Sequence, residues 1–168
     1  MIYIALGANL PSQYGEPAET LCAAYAALEG RGVSIQAKSR IWLTAPVPFD
    51  ENQPWYHNSV VAVETELSAY ALLQIMQDIE ADFGRVRSVP NASRLLDLDL
   101  IAYHNELIHE GDRLIVPHPR SHERLFVLKP LEEIDKNWLH PKTGQSVSEM
   151  IELCDQTQQA KPIEGSDV

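Results

Sequence analysis

Apolar residues recur along the first hundred positions with two different periods. A period of two is typical of half-buried strands, and helical spacing is found in an alanine-rich stretch from Pro17 to Leu28 and in an apolar stripe from Leu72 to Phe83. Ser68 suits the N-cap of the second helix, and Gly84 lies where its C-terminal cap is expected. The predicted strands cover residues 2–6, 33–43, 58–67 and 96–103, the first ending in a turn at 7–9.

The resulting order, β-α-β-β-α-β, is the ferredoxin-like motif, so the sequence predicts an α+β fold with a ferredoxin-like βαββαβ core. A further strand at 114–116 and helices at 123–131 and 147–153 are expected as C-terminal additions. We expect a single domain over residues 1–156. The polar residues 157–168 are expected to form a loose tail.

Composition narrows the classes of function. The chain has 168 residues and a net charge of −11, from 24 acidic and 13 basic residues. So acidic a protein lacks the basic face that nucleic acids or anionic membranes require, so neither is expected as a partner. No apolar run reaches the 18 residues of a membrane-spanning helix, and the N-terminus has no basic region typical of a signal peptide. We therefore expect a cytoplasmic protein.

The segment Leu95–Ile101 contains the strongest chemical signal. In a strand, Asp97 and Asp99 lie on one face, about 7 Å apart, while the leucines between and beside them lie on the other. Two adjacent carboxylates repel each other unless a cation lies between them, and a hard divalent cation that also binds substrate phosphates would serve. The alternative is an amphipathic strand with a solvated acidic face, and the spacing alone leaves both interpretations open.

Basic residues lie on both sides of this strand. Arg85, Arg87 and Arg94 fall in or beside one loop just before it, and guanidinium groups next to paired carboxylates suit a polyphosphate. The alternative is a solvated basic loop. His118 lies between two prolines, in a rigid turn that could hold a donor toward a phosphate, although a lone histidine is more often structural.

Aromatic and amide groups occur together in the segment Trp55–Asn58, at the end of a proline-rich loop. A flat heterocycle could stack and form hydrogen bonds there. Aromatic side chains packing into the core as the strand begins explain the same residues equally well.

Taken together, these segments resemble the 6-hydroxymethyl-7,8-dihydropterin pyrophosphokinase family. The resemblance covers about three-quarters of the chain, and the joint occurrence of its motifs in this order is highly specific. The motifs are Leu6–Leu10, Asn58–Val60, Ile79–Glu80, Gly84–Arg87, Arg94–Asp99, Val116–Arg120 and Phe126–Leu131.

The resemblance implies Mg²⁺-dependent transfer of pyrophosphate from ATP to the hydroxymethyl group of the pterin in folate biosynthesis, with release of AMP. Asp97 and Asp99 would hold two Mg²⁺ ions, and Arg85 and Arg94 would complete the catalytic set. The residues implied on the ATP side are Gln77, Glu80, Arg87, Leu100, Arg113, Ile115, His118 and Arg124. Those implied around the pterin are Thr44, Ala45, Val47, Tyr56, Asn58 and Phe126, with the two aromatic rings stacking on it.

Two segments depart from the family pattern. Val89–Ser93 stands where many members have Trp-Gly-Pro, and Thr44–Pro46 stands where a double proline is common.

Nucleotidyl transfer at the α-phosphorus and a non-catalytic pterin- or nucleotide-binding module remain as alternatives. In each case the expected partners are small molecules, and we expect the chain to act as a monomer.

Overall fold

The computed structural model describes residues 1–84 and 95–163. Two helices divide the strands of the first two thirds of the chain into three groups, and a short 3₁₀ turn, Ser121–Glu123, precedes the third helix. The elements are β1 (Ile2–Ala8), α1 (Pro17–Glu29), β2 (Ser34–Lys38), β3 (Trp42–Thr44), β4 (Tyr56–Glu64), α2 (Ala69–Asp82), β5 (Asp97–Tyr103), β6 (Ile108–Glu110), β7 (Leu114–Val116), α3 (Leu125–Ile134), α4 (Val147–Leu153) and β8 (Ala160–Pro162).

The main sheet has the order β5-β1-β4-β3-β8, with β2 also paired to β4, and every pairing is antiparallel. The first and third strands of the motif are therefore neighbours at the centre of the sheet, as the split-βαβ pattern requires. The predicted α+β, ferredoxin-like fold is confirmed. β6 and β7 form a separate two-stranded sheet, of which the sequence predicted only β7.

The continuous strand predicted over 33–43 is wrong, because the chain divides there into β2 and β3. Ser39 lies between them and is 3% exposed. Its N–H donates to the Val60 carbonyl at 3.0 Å, and its hydroxyl accepts from the Val60 N–H at 3.0 Å. The Ser39 hydroxyl thus replaces one backbone acceptor of the β-ladder, and both β2 and β3 still pair with β4.

Two apolar cores cover the two faces of the sheet. One packs α1 and α2 against the face that carries Ile4, Leu6 and Leu98. The other packs α3 and α4 against the face that carries Ala5 and Val60. This alternation places every second residue of a strand in each core, which is why neighbouring positions of β1 and β5 have different surroundings.

Local signals fix the ends of α1 and α2. The Ser68 hydroxyl accepts from the Ala71 N–H at 3.1 Å, which confirms the predicted N-cap. At the start of α1 the Glu16 N–H donates to the Glu19 carboxylate at 3.2 Å. Gly84 follows α2 with a φ of +100°, the backbone conformation expected of a glycine after a helix.

The C-terminal segment differs from the expected loose tail. Ala160–Pro162 forms β8 and pairs with β3, so Thr44 lies opposite Ala160. The Ala45 N–H also donates to the Gln159 carbonyl at 3.1 Å. These residues therefore belong to the main sheet. Over the described ranges, 1–84 and 95–163, no helix is both long and apolar enough to cross a membrane.

Candidate active site

A pocket of about 120 Å³ opens on the sheet face that α3 covers, next to the first turn of that helix. Strands β1, β4 and β5 form its floor, and the loop after β3 forms one side. Its lining residues are Ala5, Leu6, Gly7, Thr44, Ala45, Val47, Tyr56, Asn58, Asp97, Asp99 and Phe126.

The two aspartates project from β5 into this pocket. Burial alternates along the strand: Leu98 and Leu100 are 5% exposed and join the core under α1 and α2, while Asp97 and Asp99 are half-buried. The predicted division of this strand into an acidic face and an apolar face is confirmed. The register places Asp97 opposite Gly7 and Asp99 opposite Ala5, so β1 presents only small residues beside both carboxylates.

A buried carboxylate fixes the backbone between the aspartates. Glu80 on α2 is 4% exposed, and its Oε2 accepts from the Leu98 N–H at 2.9 Å. Because β5 is the terminal strand of the main sheet, its outward N–H groups have no partner strand within that sheet. Glu80 satisfies the N–H that lies between the two aspartates, so α2 positions the acidic strand directly.

His118 lies close to the same carboxylates. The ring Nε2 is 4.0 Å from Asp99 Oδ1, and the ring Nδ1 accepts from the backbone N–H of Arg120 at 3.1 Å. The backbone N–H of His118 donates to the Ile101 carbonyl at 2.9 Å. Burial lowers the pKa of His118 below its ordinary value, Asp99 opposes this shift, and Arg124 and Arg120 add to it. With Nδ1 accepting, the neutral ring carries its hydrogen on Nε2, the nitrogen that faces Asp99.

The amide and aromatic groups line the opposite side of the pocket. Asn58 is 7% exposed, and its Nδ2 donates to Thr44 Oγ1 at 2.6 Å. Tyr56 lies two residues earlier on the same face of β4, and Phe126 comes from the first turn of α3. The Arg124 guanidinium carbon lies 5.4 Å from the centre of the Phe126 ring, a distance typical of a cation–π contact.

The structure brings all six residues expected around the pterin into one pocket with both aspartates. Among the described residues expected on the ATP side, the structure places several in different surroundings. His118 and Ile115 line a separate cavity of about 420 Å³, Leu100 lies in the core, and Arg113 lies 5.3 Å from the ring centre of Tyr70 and also contacts its hydroxyl. Gln77 is half-buried on α2. Arg85, Arg87, Arg94 and the variant segment Val89–Ser93 lie outside the described residues.

The donor set of the pocket fits a hard cation. Within the described residues no three His, Cys, Asp or Glu side chains come together as a metal-binding group, so these residues offer two carboxylates on one face. Mg²⁺ is commonly held by one or two carboxylates, with water and substrate phosphates as its other ligands.

Sequence reasoning missed Gly7 and Ala5 as pocket residues. The sequence predicted that Gly7 lies in a turn after β1, whereas β1 continues to Ala8 and Gly7 lies inside it, opposite Asn58 on one side and Asp97 on the other. A glycine within a strand often marks a site where another group approaches the backbone closely. The available signal was therefore the glycine itself, once the strand was extended past it.

Comparison with known proteins gives consistent matches. The model of the 7,8-dihydro-6-hydroxymethylpterin-pyrophosphokinase (HPPK) family matches residues 3–136. A 2-amino-4-hydroxy-6-hydroxymethyldihydropteridine pyrophosphokinase from Bacillus subtilis is 42% identical over 134 residues, which cover 79% of this chain and 76% of that protein. The folic acid synthesis protein fol1 of Pneumocystis carinii is 36% identical over 151 residues, 90% of this chain, but the match spans only 20% of the fol1 protein.

The fold also matches solved structures. A crystal structure of a Plasmodium falciparum HPPK-DHPS triple mutant superposes with a TM-score of 0.69. The match covers 90% of this chain and 42% of that one, at 12% sequence identity. At this identity the likeness concerns the fold alone.

Proposed function

Because the chain belongs to the 7,8-dihydro-6-hydroxymethylpterin-pyrophosphokinase family, we propose that it transfers pyrophosphate from ATP to 6-hydroxymethyl-7,8-dihydropterin in folate biosynthesis. The hydroxymethyl oxygen attacks the β-phosphorus, the bond from that phosphorus to the bridging oxygen of the α-phosphate breaks, and AMP leaves. The hydroxyl proton is released. The observation that carries this proposal is one pocket in which an amide, two aromatic rings and two carboxylates come together.

Strand register supports the placement of the pterin. Asn58, Gly7 and Asp97 are paired across three neighbouring strands, so their side-chain positions lie on one face of the sheet. Two interstrand spacings separate Asn58 from Asp97, on the order of 10 Å. A pterin whose amide edge binds Asn58 would extend its hydroxymethyl arm toward the aspartates, with Tyr56 and Phe126 on its faces.

We assign the metal site to Asp97 and Asp99, with two Mg²⁺ ions as the proposed number. Bound there, Mg²⁺ would neutralise part of the triphosphate charge and orient the phosphates. The chain's own contribution is to hold the two carboxylates on one face of β5, which Glu80 anchors through Leu98. Small residues at 5 and 7 leave the space beside the carboxylates open for phosphate oxygens.

The proposed phosphate-binding groups are His118, Arg113 and Arg124, together with the three arginines of 85–94. The His118 Nε2–H already faces Asp99, so it can donate a hydrogen bond to a phosphate oxygen held beside that carboxylate. Gln77, Ile115, Leu100 and Glu80 complete the proposed ATP side, and Glu80 also accepts from the Leu98 N–H. Arg85 and Arg94 are assigned to charge that develops on the transferring group.

We further propose that the described part of the chain is one catalytic domain that includes β8. The expected boundary at residue 156 would remove a strand that pairs with β3. Its proposed partners are ATP and the pterin, bound by a single copy of the chain.

One assay tests the activity. Purified protein is incubated with ATP, Mg²⁺ and 6-hydroxymethyl-7,8-dihydropterin, and the nucleotide products are separated by chromatography. AMP formed only in the presence of the pterin is the expected result. ADP would mean transfer of one phosphoryl group, pyrophosphate would mean nucleotidyl transfer, and ligand binding without any product would mean a binding module. Each of these three results would refute the proposed reaction.

A further inference from the structure

We propose that Gly7 is a positioning residue for the pterin. Because it has no side chain, the carboxamide of Asn58 can occupy the position from which it forms hydrogen bonds to the amide edge of the substrate. This inference rests on the proposed function and deepens it, because it assigns the choice of heterocycle to a residue with no functional group of its own.

Space, rather than backbone conformation, requires glycine at position 7. Gly7 is not among the glycines with positive φ, so its backbone is accessible to any residue. A Cβ built on it would lie 2.6 Å from Asn58 Oδ1, closer than real Cβ atoms approach a neighbouring atom. Any side chain at this position must therefore displace the Asn58 carboxamide.

The carboxamide cannot move away easily, because Thr44 holds its other side. Asn58 Nδ2 lies 2.6 Å from Thr44 Oγ1, and both residues are buried, at 7% and 2% exposure. Thr44 is in turn held between β4 and β8. Asn58 is thus confined between β1 and β3, with its oxygen toward Gly7 and its nitrogen toward Thr44.

Gly7 is also paired with Asp97 on β5, so it lies between Asn58, which is proposed to bind the pterin, and Asp97, the proposed metal ligand. Ala5, opposite Asp99, is the next residue of β1 on this face. A substitution at position 7 is expected to act mainly on the pterin side, through Asn58. Asp97 and Asp99 lie on β5, the other neighbour of β1, and their atoms are not among the nearest to a Cβ at position 7.

The experiment compares Gly7→Ala with Gly30→Ala as a matched control. Gly30 ends α1 with a φ of −67°, and a Cβ there would meet nothing closer than the Ala26 carbonyl oxygen at 3.4 Å. We expect Gly7→Ala to raise the KM for the pterin by at least about tenfold, since a misplaced reactive or binding group is costly, and to leave the KM for ATP within about twofold. The control should change neither constant.

A double-variant cycle separates action through Asn58 from simple blocking of the pocket. If Gly7→Ala acts by pressing Asn58 against Thr44, the same change should cost less when Thr44→Ala has made room for the carboxamide. An equal cost in both backgrounds would overturn the inference. If Gly7→Ala fails to fold, the test is whether the double variant recovers a cooperative thermal transition. No recovery would likewise overturn it.

A measurement without substrate keeps this inference distinct from the proposed activity. The side-chain amide signals of Asn58 in ¹⁵N-labelled protein should shift in Gly7→Ala and stay unchanged in Gly30→Ala. An unchanged Asn58 signal in Gly7→Ala would refute the positioning role even if the enzyme makes AMP. Absence of AMP with wild-type protein would refute the proposed function instead, and the amide signals would still decide whether Gly7 positions Asn58.

Discussion

Replacement of Glu80 by alanine tests whether α2 holds the acidic strand in place. The Glu80 side chain is 4% exposed, and its carboxylate accepts from the Leu98 N–H at 2.9 Å. A hydrogen bond to a charged group contributes about 1.5 to 3 kcal/mol, and loss of the acceptor leaves a buried N–H unsatisfied. We therefore expect Glu80→Ala to lower the free energy of unfolding by about 2 to 3 kcal/mol. For a chain of this size, that lowers Tm by roughly 4 to 12 °C.

Two further variants isolate the cause. Glu80→Gln keeps an oxygen that can accept from Leu98 and removes only the charge, so it should lose about 1 kcal/mol. Asp78→Ala removes the same charge from the exposed side of α2, where Asp78 accepts a 3.3 Å hydrogen bond from Gln74, and should change stability by no more than about 0.5 kcal/mol. Urea unfolding followed by circular dichroism measures all three.

The same variants should differ in the Mg²⁺ concentration that they need for half-maximal turnover. Leu98 lies between Asp97 and Asp99, so release of its N–H lets both carboxylates move relative to each other. Loss of a group that orients metal ligands typically weakens metal binding by about tenfold or more. We expect Glu80→Ala to require about ten times more Mg²⁺ for half-maximal turnover. A Glu80→Ala protein as stable as Asp78→Ala, with the wild-type Mg²⁺ requirement, would refute the reasoning.

Three other predictions concern the pocket and the neighbouring His118. Asp97→Asn and Asp99→Asn should each lower kcat by at least about 10³-fold in a folded protein, because the amide is a weaker ligand for a hard cation; near-normal turnover would exclude the metal assignment. Phe126→Ala should raise the KM for the pterin about tenfold through the lost stacking, with the KM for ATP as the internal control. Burial lowers the pKa of His118, so below about pH 6.5 the unfolded chain binds a proton at this residue more readily than the folded chain does. Protonation in the unfolded state therefore lowers the free energy of unfolding below about pH 6.5, and this loss is absent above it. His118→Gln should therefore reduce the fall in urea midpoint between about pH 7.5 and 5.5, and an unchanged pH dependence would contradict this.

The elements that a local pattern determines could be predicted from the sequence. The alternation of β5 depends only on the period of a strand, so the acidic face of Asp97 and Asp99 followed directly. The cap at Ser68 and the glycine after α2 are equally local. These signals were sufficient for the βαββαβ order and for the face on which the carboxylates lie.

Features that depend on distant residues could not be predicted. The division between β2 and β3 results from the double hydrogen bond of Ser39 with Val60, two residues far apart in sequence. β8 is short and partly polar, and its only signal is its partner strand β3. The position of Gly7 opposite Asn58 and Asp97 follows from the register of three strands, which no single segment contains.

The connection between two walls of the pocket through a late segment of the chain has a consequence for protein synthesis. The Ala45 N–H on one side of the pocket donates to the Gln159 carbonyl, and the Leu125 N–H at the start of α3 donates to Gln158 Oε1 at 3.1 Å. Residues 158–162 thus connect two pocket walls that the ribosome has made long before. A nascent chain that has already formed β1, β4 and β5 still lacks these connections, so the loop after β3 and the start of α3 are joined only after this segment has left the ribosome. Translation that stops before residue 158 would yield a chain that contains every residue lining the pocket but lacks the two hydrogen bonds that join its walls.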